Sequence, residues 1–502
     1  MRKLLLSSFS LGAAALTNSS VPSEIPVATL ADGASCACTQ LAAKYGASVI
    51  GQNSSDYAIE TVSYWDIRSD QEPQCFFQPA DASEVAGAVS TIVSCGAQFA
   101  IRGGGHMNFP GSNNINGGVV LALDNLTELA VAADNSSIAV GPGNRWVDVY
   151  SALDPYGLYC IGGRLKTIGV PGLSLIGGFH YLINTYGMVM DNILSYDVVL
   201  GNGTQVVANA TSNPDLFWAL KGGANNFGIV TKFVIKTLPI PYISTTVQTY
   251  NESAVVDFIG ATAELAENDG PDLAAGSVIS ISYNATTKAV SPSLLGIQEG
   301  TESPPSRFAN FSAIPAVSVS NNVLTPLQWH ENLETPFQMF RIQFASHTMK
   351  ANATQLNRIY DAWKAAVDEI SDVEGLYPTF VMNILPKSAA SVAKNNGIGN
   401  VWGLDDDESW IIWQFSTAWA NEVDDLRMTN WVRSLSDYWH MENQALGLAS
   451  EFLYMGDSGE FQDPFLGFPI ENVQRMKAIR EAYDPLGVFS RLNWGGFKLG
   501  AN

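Results

Sequence analysis

Basic residues are scarce. The 502 residues hold 26 Lys and Arg against 48 Asp and Glu, a formal net charge of −22. Nucleic acid needs cations over its phosphates, so this deficit excludes a nucleic-acid partner and fits a chain that avoids anionic surfaces. Histidine and cysteine are equally sparse, at five each. His106, His180, His330, His347 and His440 are scattered, with no H-x-x-x-H and no C-x-x-C, so the spacing offers no metal site. There is no Walker loop and no G-x-G-x-x-G between a strand and a helix, which removes P-loop enzymes and Rossmann dinucleotide binders. No segment beyond the N-terminus is long and apolar enough to cross a membrane as a helix. Gly172-Leu173-Ser174 begins like a nucleophile elbow, but Ile176 stands where glycine is required. The run Asp405, Asp406, Asp407, Glu408 reads as a solvated loop. Internal repeats and low-complexity linkers are missing.

What the chain does have begins with a leader. Arg2 and Lys3 precede a short apolar run and the small residues Ala13, Ala14 and Ala15. That pattern reads as a secretory signal over residues 1–18, too short to span a bilayer. Export agrees with N-x-S/T sequons at Asn18, Asn53, Asn125, Asn135, Asn202, Asn209, Asn251, Asn284, Asn310 and Asn352. Cys36, Cys38, Cys75 and Cys95 can form two disulfides in an oxidising compartment, with the pairing open; Cys160 is left over as a buried thiol. We expect a secreted, N-glycosylated protein.

Periodicity divides the mature chain. Asp81 and Glu84 form a D-x-x-E cap for a helix with Val85, Val89, Ile92 and Val93 on one face, stopped at Gly96. A strand at 98–101 follows, then strands at 118–123, 137–140, 196–200 and from 228, with helices at 146–153, 179–186 and from 213. From 242 the elements lengthen: strands from 339 and at 409–419, helices at 354–370, 423–438 and 470–483. Alternation on 409–419 puts Ile412, Gln414 and Ser416 on one face, with Ile411, Trp413 and Phe415 on the other as core. The pattern predicts an α+β fold: a glycine-rich domain over 19–241, an antiparallel sheet covered by helices over 242–450, and a returning segment over 451–502.

Glycine loops concentrate in the first domain, at 103–105, 141–143, 162–163, 169–178 and 222–228. Without Cβ, backbone N–H groups can approach a phosphate closely. One such loop, IRGGGHMNFPGS at 101–112, serves equally as a turn; five in one domain imply wrapping around an extended polar cofactor.

These segments, with GGRLKTIGVPGLSLIGGFHYLINTYGMVMDNILSYDVVLGNGT at 162–204, NPDLFWALKGGANNFGIVTKF at 213–233 and YDPLGVFSRLNWGGFKL at 483–499, resemble the berberine-bridge-enzyme-like flavoproteins of the vanillyl-alcohol-oxidase superfamily, with a two-lobed PCMH-type FAD-binding domain, and are closest to fungal members. The resemblance implies FAD, bound through an 8α-histidyl link at His106. Many members carry a second link from a cysteine; the matching position is Leu165, so a single link is expected. By position, Arg102, Gly103, Gly104, Gly105, Gly169, Gly172, Gly177, Asp191, Asn192, Gly228, Ile229, Val230 and Asn493 carry over as cofactor contacts. Departures stand at Pro171, His180 and Gly456. Tyr454 and His180 are the catalytic candidates, for proton transfer or substrate positioning. The implied function is oxidation of an alcohol or related C–H/O–H group of a small specialised metabolite, by hydride transfer to flavin with oxygen as acceptor. A carbohydrate oxidase and a flavin-bearing protein without turnover are the alternatives. Partners would be the substrate and oxygen, for a monomer with no nucleic acid and no membrane.

Overall fold

Among the described residues three sheets carry the chain, each with its own sequence pattern. The computed structural model describes residues 24–500 except 269 and 334–339; the leader and Asn18 lie outside the described residues. The first sheet has the spatial order Val49–Gly51, Cys75–Phe77, Val119–Ala122, Phe99–Arg102, with the first pairing antiparallel and the other two parallel. Its strands are short continuous apolar runs, as burial on both faces requires. Helices Leu30–Tyr45 and Ala82–Cys95 cover one face. The second helix starts at its cap: Asp81 accepts from the N–H groups of Ser83 and Glu84 at 2.8 and 2.9 Å, and Gly96 ends it in the left-handed region. Disulfides Cys36–Cys95 and Cys38–Cys75 tie the first helix to the second helix and to a central strand, resolving the open pairing. Cys160 is free and buried.

The second sheet is antiparallel, ordered Leu129–Val131, Ser137–Val140, Ile229–Lys236, Ile193–Val199, Gln205–Asn209. The GNGT sequence at 201–204 turns the last hairpin. The third sheet has eight antiparallel strands, all between residues 243 and 450. Helices Val255–Glu267, Ala353–Glu369 and Asp425–Ala445 pack on one face of it, around Trp363, Phe380, Trp413 and Phe415. The other face looks back toward the glycine-rich half.

The α+β architecture agrees with the sequence reading. One element differs. The helix expected over 179–186 exists only as Ile183–Tyr186. Gly177 and Gly178 have φ of 100° and 81°, which breaks any helical run there and leaves Phe179 and His180 in a loop.

Candidate active site

Strand Phe99–Arg102 delivers the loop at 103–105 to a cavity lined by residues of all three sheets. Its last residue, Arg102, points away from the loop: the buried guanidinium is held by Glu60 and by Asp124 at 2.9 Å and lies over the Tyr64 and Phe76 rings. Arg102 therefore locks the strand end and does not line the cavity, correcting its expected place among the cofactor contacts. The glycines are required by close backbone approach. A Cβ on Gly104 would lie 2.4 Å from the Gly169 nitrogen, and one on Gly103 would lie 2.4 Å from Pro171 Cγ. Gly105 has a φ of 69°.

His106 follows this crossing. Its Nε2 lies 3.0 Å from Thr167 Oγ1, and its ring stacks on Trp65 at 5.5 Å. Burial, then the nearby Arg145 guanidinium, pushes its pKa down to about 3. The imidazole is neutral at physiological pH and keeps a lone pair, as a nucleophile or ligand must.

Beside His106 opens a cavity of about 750 Å³. Gly103, Gly104, Gly105, Gly169, Gly172, Gly228, Ile229 and Val230 line it. Leu165 and Pro171 line it too. Gly496 and Phe497 of the returning segment close its end, while Asn493 sits one layer back, bonded to Asn225 at 3.0 Å and to the Phe99 carbonyl at 3.0 Å. The opposite wall is the inner face of the eight-stranded sheet. On strand Trp410–Trp419, Gln414, Ser416 and Ala418 face the cavity, whereas Ile411, Trp413 and Phe415 pack under the helices.

A polar corner interrupts this largely apolar space. Tyr454 and Asp457 come from the loop after the sheet, and Arg164 directly follows the glycine pair at 162–163. Asn383 joins two of them: its Oδ1 accepts from Arg164 Nη1 at 2.8 Å and its Nδ2 donates to Asp457 Oδ2 at 2.7 Å. Burial pushes the Asp457 pKa up to about 6, against the opposing pull of Arg164 and Asn383. Burial also raises Tyr454, whose ring meets Phe179 edge-on at 4.7 Å. Tyr454 is thus a neutral hydroxyl, and Asp457 the group suited to accept a proton near neutral pH.

Besides Arg102 and Asn493, four more expected site residues lie outside the cavity lining. His180 lines a separate pocket of about 20 Å³, not the cavity. Its Nδ1 accepts from the Leu182 N–H at 3.1 Å, which puts the proton on Nε2, donated to Tyr159 Oη at 2.7 Å. Tyr159 in turn donates to His330 Nε2 at 2.6 Å, and His330 Nδ1 donates to the Arg164 carbonyl at 3.0 Å. Burial drives both histidine pKa values down, His330 to about 3, so the chain is neutral and satisfied throughout. His180 is a structural residue that helps hold Arg164. Asp191 and Asn192 brace their own loop, Asp191 accepting from Met188 N–H and Asn400, Asn192 donating to the Tyr186 and Met188 carbonyls. Gly177 packs against Trp402. Their segment was matched as a whole, but only part of it reaches the cavity.

Sequence reasoning missed Asp457, Arg164 and Asn383. Arg164 stands inside a quoted motif and Asp457 directly follows Gly456. Asn383 carried no local signal, because its role arises from pairings across more than 70 residues.

The residues present fit a large polar cofactor. Asn108 Nδ2, Asn113 Oδ1 and Gln414 Nε2 are buried in the cavity wall without a hydrogen-bond partner among the described residues. Native interiors rarely leave such groups unsatisfied, so they point to a ligand with polar edges. Beyond its own helix, a Cβ on Gly172 would meet no described protein atom within 4 Å, which leaves open space on the cavity side. The Asp405–Asp407 run, by contrast, is engaged by Lys394, 2.9 Å from Asp405 and also bonded to Asp406.

Comparisons with known proteins agree with this geometry. Residues 73–209 match the family model described as FAD binding domain. The FAD-dependent monooxygenase prx3 of Penicillium roqueforti is 33% identical over 488 residues, covering 94% of this chain and 95% of that one. Among solved structures, Physcomitrella patens BBE-like 1 superposes with a TM-score of 0.76 at 21% identity, covering 93% and 100% of the two chains. Glucooligosaccharide oxidase from Acremonium strictum, described with a 6-S-cysteinyl, 8α-N1-histidyl FAD, gives 0.73 at 20% identity, covering 90% and 97%.

Proposed function

Because the chain belongs to the berberine-bridge-enzyme-like FAD-linked oxidoreductases, we propose that it oxidises an alcohol or related C–H/O–H group of a small, largely apolar organic molecule. When bound, FAD supplies the two-electron redox chemistry and passes the electrons on, with oxygen the expected acceptor. His106 holds it by the sole covalent link, since Leu165 has no thiol. The glycine wall positions it, and Asn108, Asn113 and Gln414 offer polar contacts. Asp457 takes the substrate proton. Tyr454 donates a hydrogen bond to the substrate oxygen, and Arg164 stabilises the negative charge that develops there.

The observation that carries this reading is the polar corner of Arg164, Asn383, Asp457 and Tyr454 set into an apolar cavity beside His106. Phe344, Ile342 and Val381 on the sheet wall suit an apolar body. An oligosaccharide needs polar partners along its length, so the apolar walls favour a specialised metabolite over a sugar, although several proteins of similar fold are sugar oxidases. Secretion is supported by the two disulfides and by the sequons: none of the nine sequon asparagines among the described residues is buried. The test is the purified protein under a panel of metabolites and sugars. We expect flavin absorbance that persists in the pellet after acid precipitation, bleaches anaerobically with a metabolite, and yields peroxide in air. A colourless protein, or bleaching only by sugars, would overturn the reading.

A further inference from the structure

Arg164 and Asp457 are spaced by a side chain whose own shape describes a ligand. Arg164 has five N–H donors, of which one is used among the described residues, Nη1 to Asn383. Among the described residues no carboxylate lies within ion-pair distance of it, and its guanidinium sits 5.9 Å over the Phe179 ring, a cavity residue. Its main chain is fixed from behind by the His180–Tyr159–His330 chain, ending on the Arg164 carbonyl at 3.0 Å. Asp457 uses Oδ2 for Asn383, and both Asp457 and Arg164 line the cavity.

The Asn383 amide is oriented by these neighbours. Its oxygen must face the cation and its N–H₂ must face the carboxyl. It presents an acceptor and a donor roughly 2.3 Å apart, from the standard C=O and C–N lengths. The same two residues, viewed from the cavity side, read the same pattern in a substrate: an acceptor oxygen toward Arg164 and an O–H toward Asp457.

We propose that Arg164 and Asp457 select a substrate bearing a conjugated carbonyl and O–H in a 1,3 relation, as in an enolised β-dicarbonyl compound, rather than a simple alcohol. This rests on the cavity being the substrate site of the proposed oxidoreductase. The oxygens of an enolised β-dicarbonyl lie about 2.5 Å apart, at the short end of O–H···O distances, and so match the amide spacing. On binding, the O–H bond breaks, the proton moves to an Asp457 carboxylate oxygen, and the electron pair stays on the substrate oxygen. The carbonyl, conjugated with it, carries part of that charge onto Arg164. No oxidant enters this step. The carbonyl oxygen satisfies guanidinium donors that a single-oxygen alcohol leaves unpaired, and such a pairing is worth a large discrimination.

The test is ligand binding to the holoenzyme, read by fluorine NMR with three probes that share the para-fluorophenyl ring: para-fluorobenzoylacetone, para-fluoroacetophenone and para-fluorobenzyl alcohol. We expect the two-oxygen probe to bind at least tenfold more tightly than either one-oxygen probe. R164M should abolish that preference while leaving the acid-stable flavin content unchanged. Equal binding of the three probes by the wild-type protein, or a preference that survives in R164M, overturns the inference. If R164M does not melt cooperatively, the wild-type ratio alone decides. Loss of the acid-stable flavin from the wild-type protein would instead sink the covalent flavin assignment, and the probe ratio would still be readable.

Discussion

One wall of the cavity is shaped by backbone and the other by side chains. On the first, Gly103, Gly104 and Gly169 let two loops cross at distances that no Cβ would permit, and His106 follows directly in the chain. On the second, Gln414, Ser416, Tyr454 and Asp457 arrive from strands and loops far apart in sequence. The difference separates two tasks. A cofactor shared by a whole family demands a fixed cradle, written in contiguous motifs. A substrate particular to one protein is read by a few side chains, each replaceable without disturbing the sheet that carries it.

The largest effect that would break this division lies at His106. In H106A we expect complete loss of acid-stable flavin, measured by flavin fluorescence of the denatured protein on a gel. Flavin that stays attached would show that the tether is elsewhere.

Next comes the sheet wall. D457N should lower kcat by about 10²–10⁴, the usual contribution of a general base, while acid-stable flavin is retained. In the wild-type protein kcat/KM should rise with pH through about 6, as Asp457 loses its proton. The stability effect has the opposite sign. The folded-state pKa is raised above the ordinary carboxylate value of about 3.9, so the stability this group contributes is present at low pH and is lost as pH rises through about 6. D457N should therefore melt higher than wild type at pH 7, with a flattened pH profile. A variant that is both slower and less stable there would mark Asp457 as structural.

The same contrast explains what was legible beforehand. Local signals survive in the structure: the Asp81 cap, the 2-residue alternation that put Gln414 opposite Trp413, and the glycine motifs leading to His106. The motif around 177–192 misled, because matched residues there share a fold requirement, not a cofactor. Gly177 is glycine for Trp402, and Asp191 accepts from the chain itself. His180 carried the chemistry expected of a catalytic residue, but two consecutive left-handed glycines turn it out of the helix and into a buried chain with Tyr159. Asp457 depends on Asn383 and Arg164, one more than 70 residues away and the other more than 200 away from Asn383, and no local pattern records such a meeting.

A smaller effect sharpens the glycine wall. G104A would put a methyl group 2.4 Å from the Gly169 nitrogen, a backbone atom that cannot rotate away. The two loops must separate, at about 1–3 kcal/mol, the range for overpacking. Thermal unfolding should fall accordingly and flavin loading with it. An unchanged melting point would show that the crossing is looser than the structure has it.

The smallest expected effect on stability belongs to Gly172, and it discriminates best. Gly172 lines the same cavity, its φ is ordinary, and beyond its own helix a Cβ there meets no described protein atom within 4 Å. It lies in helix Val170–Leu175, where alanine is favoured over glycine by about 1 kcal/mol. Judged by the protein alone, G172A should be neutral or stabilising, unlike G104A. If the cofactor's surface reaches this wall, the new methyl group collides with it, and the variant should keep its melting point in the flavin-free state while flavin loading drops severalfold. Stability and loading then part company at Gly172 and move together at Gly104. Full loading in G172A would mean that the cofactor lies farther from this wall, and that its glycines serve only the crossing of the two loops.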